Sequence, residues 1–454
     1  MSRRYFGTDG VRGLVGRPPL EPLFVTRLGL AAGRVLGGSL GHAPRVLLGR
    51  DTRASGELFG RALASGLAAT GTSVLDLGVV PTPALALLVR LLGADAGFVV
   101  TASHNPYDHN GIKCLGPGGT KLDDARELAI ERRLARPGPM VSAAAVGRIF
   151  DEAPLIERYL EHLRTRLPTG FSLAGWHLAV DTAQGATYAL VPAFLRGLGA
   201  RVTTLGDRPD GCNINEGCGV LHPEAVREAA RASGADLGIT FDGDGDRVHF
   251  VTSGGTVVDG DAILYLIATD AHERGALGPG PVVGTVMSNL GLEEALTGCG
   301  IRFLRSAVGD RYVLETLLRE GGVLGGENSG HVLLLEDSPS GDGLLVALRV
   351  LEILCRCGKP LPDLLGEFRR YFQRLVNVPL PPLPREDLLP VLGDLERRLR
   401  DGGHGRVLLR LSGTEPLVRI MVEGPVPEWV EATAERARSY LADLASSSSV
   451  EPSP

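Results

Sequence analysis

The sequence predicts an α/β protein: three consecutive mixed α/β domains, then a smaller C-terminal domain of α+β character. Two observations carry this. Short apolar runs alternate with helical stretches of about 10–15 residues, the pattern of βαβ units with a mainly parallel sheet. The alternation also recurs three times, and each time the third apolar run ends in a polar, glycine-bearing loop. With 454 residues, the length agrees, at about 150 residues per domain.

The first unit opens with Gly7-Thr8-Asp9-Gly10-Val11-Arg12-Gly13, which reads either as a ligand-approaching loop or as a tight hairpin. The run Arg45–Gly49 is a strand ending in Arg50-Asp51-Thr52-Arg53, and a helix follows over 55–69. The strand 73–79, a helix over 83–92 and the strand 96–100 lead into Thr101-Ala102-Ser103-His104-Asn105-Pro106. A polar helical connection spans 151–166.

The second unit has strands at 177–180, 201–205 and 235–241, with helices over 188–198 and 223–233. Its third strand ends in Asp242-Gly243-Asp244-Gly245-Asp246-Arg247. In the third unit a helix over 260–273 precedes strands at 282–286, 301–305 and 322–324. The last of these ends in Gly325-Gly326-Glu327-Asn328-Ser329-Gly330-His331, and a long apolar helix over 342–357 closes the unit. Proline-rich 379–384 reads as a linker. Beyond it lie strands at 406–411 and 417–423, a helix over 428–444 and a serine-rich tail expected to be disordered. The expected domains are 1–166, 167–256, 257–371 and 372–445, with the tail at 446–454.

A formal net charge of -6 argues against a general nucleic-acid binder. The six cysteines show no zinc spacing and read as reduced thiols of a cytoplasmic protein. The N-terminus has no apolar run behind its arginines, and the most apolar segment is cut by Arg90 and Asp95, so neither a signal peptide nor a membrane span is expected. Only three lysines occur, Lys113, Lys121 and Lys359. That scarcity makes a lysine in a conspicuous place informative.

Ligands of parallel sheets bind beyond the carboxyl ends of the strands. Ser103 lies at such an end and is a candidate nucleophile. Asp242, Asp244 and Asp246 alternate with glycines, which lets three carboxylates turn to one hard cation such as Mg²⁺. An EF-hand reading fails, because Arg247 and Ser253 stand where Gly and Glu are required. Glu327, Asn328, Ser329 and His331 either offer donors and acceptors for sugar hydroxyls or belong to a glycine-rich hairpin. Arg410, Ser412, Gly413, Thr414 and Arg419 have the composition of a phosphate loop. Lys113, ten residues after Ser103, is either a phosphate contact, a proton shuttle or a solvated lysine. The sequence contains neither a G-x-x-x-x-G-K-[ST] loop nor a G-x-G-x-x-G fingerprint. Phosphate and cation machinery without a nucleotide loop points to phosphoryl transfer between sugar positions.

The four loops resemble those of the α-D-phosphohexomutase superfamily from Gly7 to about Glu423: the phosphoserine loop at 101–106, the metal loop at 242–247, the sugar loop at 325–331 and the phosphate loop at 410–419. Three further stretches, 6–13, 285–293 and 308–313, resemble its phosphoglucosamine mutase branch. The resemblance implies a heart-shaped arrangement of four domains around a central cleft, the last of the TATA-box-binding-protein-like type. It implies a relay in which phosphorylated Ser103 donates to O1 of glucosamine 6-phosphate. The resulting glucosamine 1,6-bisphosphate reorients and returns its 6-phosphoryl group, releasing glucosamine 1-phosphate. Mg²⁺ would bind to Asp242, Asp244, Asp246 and a phosphoserine oxygen, with the bisphosphate or a similar compound as primer. Arg12, His104, Lys113 and Arg247 are the implied supporting groups, and proton transfer falls to Lys113 or His331. Sugar phosphates are the expected partners, with no nucleic acid and no membrane, and a homodimer is left open. Two departures stand out: Asn328 replaces the family's common Gln, and Cys114 replaces a residue that is often aromatic. The rival readings are a phosphomannomutase/phosphoglucomutase and a non-catalytic sugar-phosphate-binding protein.

Overall fold

The computed structural model describes residues 4–7, 9–366, 368–380, 384–400, 405–412 and 416–447. The chain falls into two compact units. One comprises residues 1–287 and 301–365, the other 288–300 and 366–454.

The larger unit contains three sheets that share a core topology. In the first, four strands run in the spatial order Ser73–Val79, Arg45–Arg50, Ala96–Val100, His109–Leu115. The second repeats this with Arg201–Leu205, His177–Asp181, Leu237–Phe241 and Val248–Thr252. The third repeats it with Phe303–Ser306, Val282–Thr285, Leu324–Gly326 and Val332–Leu334. In each sheet the first three are parallel and the last returns antiparallel. The three third strands are buried along their whole length (AGFVV, LGITF, LGG), as expected of central parallel strands covered on both faces. Each of these hairpins closes through one of the three polar loops, so the loops occupy equivalent positions.

The first sheet is extended at one edge by Gly10–Leu14 and Phe6–Gly7, and at the other by Ile149–Asp151. The N-terminal glycine-rich stretch is therefore a hairpin, with Gly10–Leu14 paired to His109–Leu115. Several antiparallel strands and the edge strand Ile149–Asp151 add to the expected elements. The connection over 151–166 resolves into a short turn and the helix Ile156–Thr165.

In the second unit three antiparallel strands, Phe372–Pro379, Leu417–Gly424 and Arg406–Leu411, lie in that order. The helices Arg385–Arg400 and Pro427–Ser447 cover them, burying Leu388, Leu392, Leu395, Val430 and Leu441 against Val407, Val418, Ile420 and Val422. The helix Leu290–Gly298 also belongs here, held by Asn289, whose amide donates to Tyr371 O and accepts from Tyr371 N. The linker reading of 379–384 needs adjustment: Pro379 ends a strand, and 381–383 lie outside the described residues. The tail reading is corrected for 446–447, because the terminal helix continues to Ser447; residues 448–454 are outside the described set. Among the described residues no helix is long and apolar enough to cross a membrane.

Candidate active site

Ser103 sits where the Ala96–Val100 strand surfaces, with φ 52°, a left-handed conformation. For a residue with a Cβ this costs about 1–2 kcal/mol, so its surroundings must hold it. Its N–H donates to Thr101 Oγ1 (2.9 Å), Thr101 Oγ1 donates to Asp51 Oδ2 (2.7 Å), and Asp51 pairs with Arg53 Nε (2.9 Å). The Ser103 hydroxyl donates to Asp242 Oδ2 at 2.7 Å and lies 3.3 Å from His104 Nδ1. Burial, reinforced by Arg247 and Arg12, lowers His104 to about 4, which leaves a neutral imidazole beside the hydroxyl near pH 7.

The acidic loop is buried: Asp242 and Asp244 are 0% exposed and Asp246 is 6%. Their carboxylate oxygens come within 4.8 Å of one another. Burial and the charges of Asp246 and Asp244 push Asp242 well above the usual carboxylate range. Asp244 Oδ1 and Asp246 Oδ1 accept no hydrogen bond from any described residue. Three buried carboxylates, two of them with an unused oxygen, fit a hard divalent cation, which takes oxygen ligands and relieves their mutual repulsion. Gly243 has no room for a side chain: a Cβ there would lie 2.6 Å from Ser103 O.

Lys113 projects from the returning strand into this loop. Its Nζ donates to Asp244 Oδ2 (2.8 Å) and Asp246 Oδ2 (2.9 Å). Burial opposes its charge, but Asp244, Asp246 and Asp9 hold its pKa well above the ordinary lysine value. From Lys113 a closed ring of alternating charge runs through residues of all three sheets' loops. Asp246 Oδ1 lies 3.6 Å from His331 Nδ1, and His331 Nε2 lies 3.7 Å from Asp310 Oδ2. Asp310 meets Lys121 at 2.6 Å, Lys121 meets Asp9 at 2.7 Å, and Asp9 returns to Lys113 at 3.4 Å. Burial opposes the His331 charge, but Asp246 and then Asp310 raise it to about 9, so it is cationic near neutrality. Arg12 pairs with Asp9, and Arg247 Nε stands 3.9 Å from Asp246 Oδ1. A cavity of about 200 Å³ opens onto Lys113, Lys121, Asp246, Asp310 and His331. A roomier one, about 780 Å³ and lined by Trp176, Arg231 and Lys359, shares none of these residues.

In the third loop, Glu327 Oε1 accepts from Gly309 N (2.9 Å), and the Asn328 carbonyl accepts from Gly260 N (3.1 Å). Ser329 Oγ is buried with no hydrogen-bond partner among the described residues. In the C-terminal unit, Arg410 and Arg419 face each other directly across two antiparallel strands. Burial and Arg419 lower the Arg410 pKa. Like charges opposed in this way destabilise a sheet, and an anion between them would reverse that. Ser412 N donates to Leu417 O (2.8 Å) at the same turn. Gly413 and Thr414 lie outside the described residues.

The fold thus brings Arg12, Ser103, His104, Lys113, Asp242, Asp244, Asp246, Arg247 and His331 together. Sequence reasoning missed Asp9, Asp51, Arg53, Thr82, Lys121 and Asp310 as site residues. Thr82 Oγ1 donates to Asp244 Oδ2 at 2.5 Å. Most of these missed residues lie in the loops beyond strand ends, which was a usable signal. Lys121 had another, being one of only three lysines.

Four family descriptions match this chain in series. They are phosphoglucomutase/phosphomannomutase alpha/beta/alpha domain I (3–138), domain II (157–255), domain III (259–371) and the C-terminal domain (375–439). The chain belongs to that family, the α-D-phosphohexomutases. At full length it is similar to the phosphoglucosamine mutase of Alkalilimnicola ehrlichii, 51% identical over 96% of each chain. Among solved structures, it resembles a phosphoglucomutase/phosphomannomutase family protein from Burkholderia thailandensis. That match has a TM-score of 0.80 and 26% identity, covering 96% of this chain and 97% of the other. The N-acetylphosphoglucosamine mutase of Aspergillus fumigatus, at 19% identity, shares the fold with a TM-score of 0.66 over 98% of this chain and 96% of its own.

Proposed function

We propose that the chain is a phosphoglucosamine mutase, an isomerase that interconverts glucosamine 6-phosphate and glucosamine 1-phosphate and feeds UDP-N-acetylglucosamine and cell-wall precursor synthesis in the cytoplasm. The observation that carries this reading is the Ser103 hydroxyl, 2.7 Å from Asp242 in a buried three-carboxylate loop ringed by Lys113, His331 and Arg247. Such a serine is built to carry a phosphoryl group.

In the forward direction the phosphoserine Oγ–P bond breaks as a P–O1 bond forms on glucosamine 6-phosphate. The O1 proton passes through a neighbouring group to the departing serine oxygen, so that the Ser103 hydroxyl again donates to Asp242 Oδ2. The 1,6-bisphosphate then turns end for end. Its O6–P bond breaks as Ser103 Oγ takes the phosphoryl group, and the proton lost from Oγ passes through a neighbouring group to O6, so that neither water nor net phosphate is consumed. Lys113 and His331, both cationic, are the proton donors closest to the acidic loop. Mg²⁺ held by Asp242, Asp244, Asp246 and a phosphoserine oxygen would supply charge neutralisation at the transferring group. Arg12 and Arg247 add guanidinium charge. Glu327, Asn328, Ser329 and His331 bind the sugar in both poses, while Arg410, Ser412, Gly413, Thr414 and Arg419 hold the phosphate that is not reacting. Domains at 1–166, 167–256, 257–371 and 372–445 then divide the labour into phosphoserine, cation, sugar and phosphate.

The test is a comparison of kcat/KM on glucosamine 6-phosphate, glucose 1-phosphate and mannose 1-phosphate, with Ser103→Ala alongside. The amino sugar is expected to be preferred and the alanine variant to fall to background. Preference for a neutral sugar, or full activity without the Ser103 hydroxyl, overturns the reading.

A further inference from the structure

We propose that Arg53 and Asn215 are positioning residues that clamp the phosphoserine loop and keep Ser103 aimed at the acidic loop; this rests on the mutase reading above. Neither residue touches the reacting atoms. Both act on backbone carbonyls behind them.

Ser103 O accepts from two side chains at once, Arg53 Nη2 at 3.0 Å and Asn215 Nδ2 at 2.9 Å. Asn105 O accepts from the same two atoms, at 2.8 Å and 3.0 Å. Arg53 also donates to His109 O at 3.0 Å and to Pro106 O. One buried guanidinium therefore gathers four carbonyls of a single loop, using the planar fork that a lysine lacks. Its remaining donor is fixed by Asp51, whose carboxylate also takes the Thr101 hydroxyl that receives Ser103 N–H. Both backbone polar groups of Ser103 are thereby tied to one Arg53–Asp51 pair.

Asn215 arrives from the second sheet's part of the chain. It too is left-handed, φ 59°, and is anchored by its own N–H to Ala183 O at 2.9 Å. Its amide is the direct hydrogen-bonded link from that segment to the Ser103 and Asn105 carbonyls. Because Ser103 is held at φ 52°, losing either of the two donors loosens its carbonyl and lets it relax toward ordinary backbone. That rotation swings Oγ away from Asp242.

Asn215→Gly isolates the contact, because glycine keeps the left-handed backbone at no steric cost and deletes only the amide. Arg53→Lys is the companion, keeping charge against Asp51 while losing the fork. The measurements are single-turnover transfer from phosphorylated Ser103 to glucosamine 6-phosphate, steady-state kcat and KM, and the thermal midpoint, each beside the unaltered protein. For Asn215→Gly, transfer and kcat are expected to drop about tenfold to a hundredfold, with KM within roughly twofold and the midpoint nearly unchanged. Arg53→Lys is expected to lose more in kcat. Transfer at the unaltered rate in Asn215→Gly overturns the proposal, as does a loss confined to KM. If the unaltered protein neither carries phosphate on Ser103 nor turns over, it is the mutase reading that fails.

Discussion

Lys113 places a buried ammonium between two carboxylates of the acidic loop, 2.8 and 2.9 Å away. It thus occupies the same electrostatic well that a divalent cation would use. Replacing it with methionine removes a proton donor of the proposed mechanism and also a competitor. Lys113→Met is expected to lower kcat about 10²–10⁴-fold while tightening Mg²⁺ binding, by about tenfold or more from the lost like-charge repulsion. Calorimetric titration with Mg²⁺ alone reads the second effect, and weaker binding in the variant would contradict it. Residue by residue, what the sequence made legible was what short spacing encodes. Ser103 at a strand end and three aspartates alternating with glycine are local patterns. Asp9, Lys121 and Asp310 are not: they meet through ion pairs between segments separated by more than a hundred residues, and nothing in the neighbourhood of any one of them announces the others.

Three of the functional loops are turns of one repeated element, a buried parallel strand and its antiparallel return. The parallel strands and their helices could be read from alternation. The returning strands could not, and for two of them the reason is local. His109–Leu115 is paired on both edges and carries the buried polar residues Asn110 and Lys113, so its apolar periodicity is broken. Val332–Leu334 is only three residues long. In the C-terminal unit the helix Arg385–Arg400 contains Pro390, a residue that argues against a helix interior. A further device holds the third hairpin. The helix Gly260–Glu273 begins against it, and a Cβ on Gly260 would lie 1.9 Å from Glu327 O and 2.8 Å from Gly330 N. Both are backbone atoms with little room to move. Gly260→Ala is therefore expected to destabilise the protein by about 1–3 kcal/mol and to raise KM for the sugar phosphate. Gly298→Ala, whose Cβ meets nothing within 4 Å, is the matched control. Equal thermal midpoints for the two variants would refute the close-approach argument.

Across the larger unit, the helix Ile156–Thr165 is joined to the helix Gly343–Cys357 by a buried contact: the Tyr159 hydroxyl donates to Asp342, at 3.0 Å to Oδ1. Asp342 also caps its helix by accepting from Leu345 N (3.0 Å). Burial raises its carboxyl from 3.8 to about 6. The native state then holds a proton that the unfolded chain releases between those pH values, so this group's contribution to stability falls as pH rises from about 4 to 6. Asp342→Asn keeps a good helix cap and an acceptor for Tyr159 without the ionisation. Its thermal midpoint is expected to gain on the unaltered protein by roughly 3–6 °C between pH 4 and pH 7. A difference that does not change with pH would refute the buried-carboxyl account.

The lysine scarcity noted in the sequence also has a bearing on handling the molecule. Lys113 is 4% exposed, and Lys121 is engaged with Asp9 and Asp310. Lys359, just past the long helix of the third domain, is exposed. Among lysine side chains, then, an amine-directed dye, cross-linker or coupling resin finds one open handle, and it lines a cavity that shares no residue with the candidate site. A preparation tethered or labelled there leaves the Ser103 loop chemically intact.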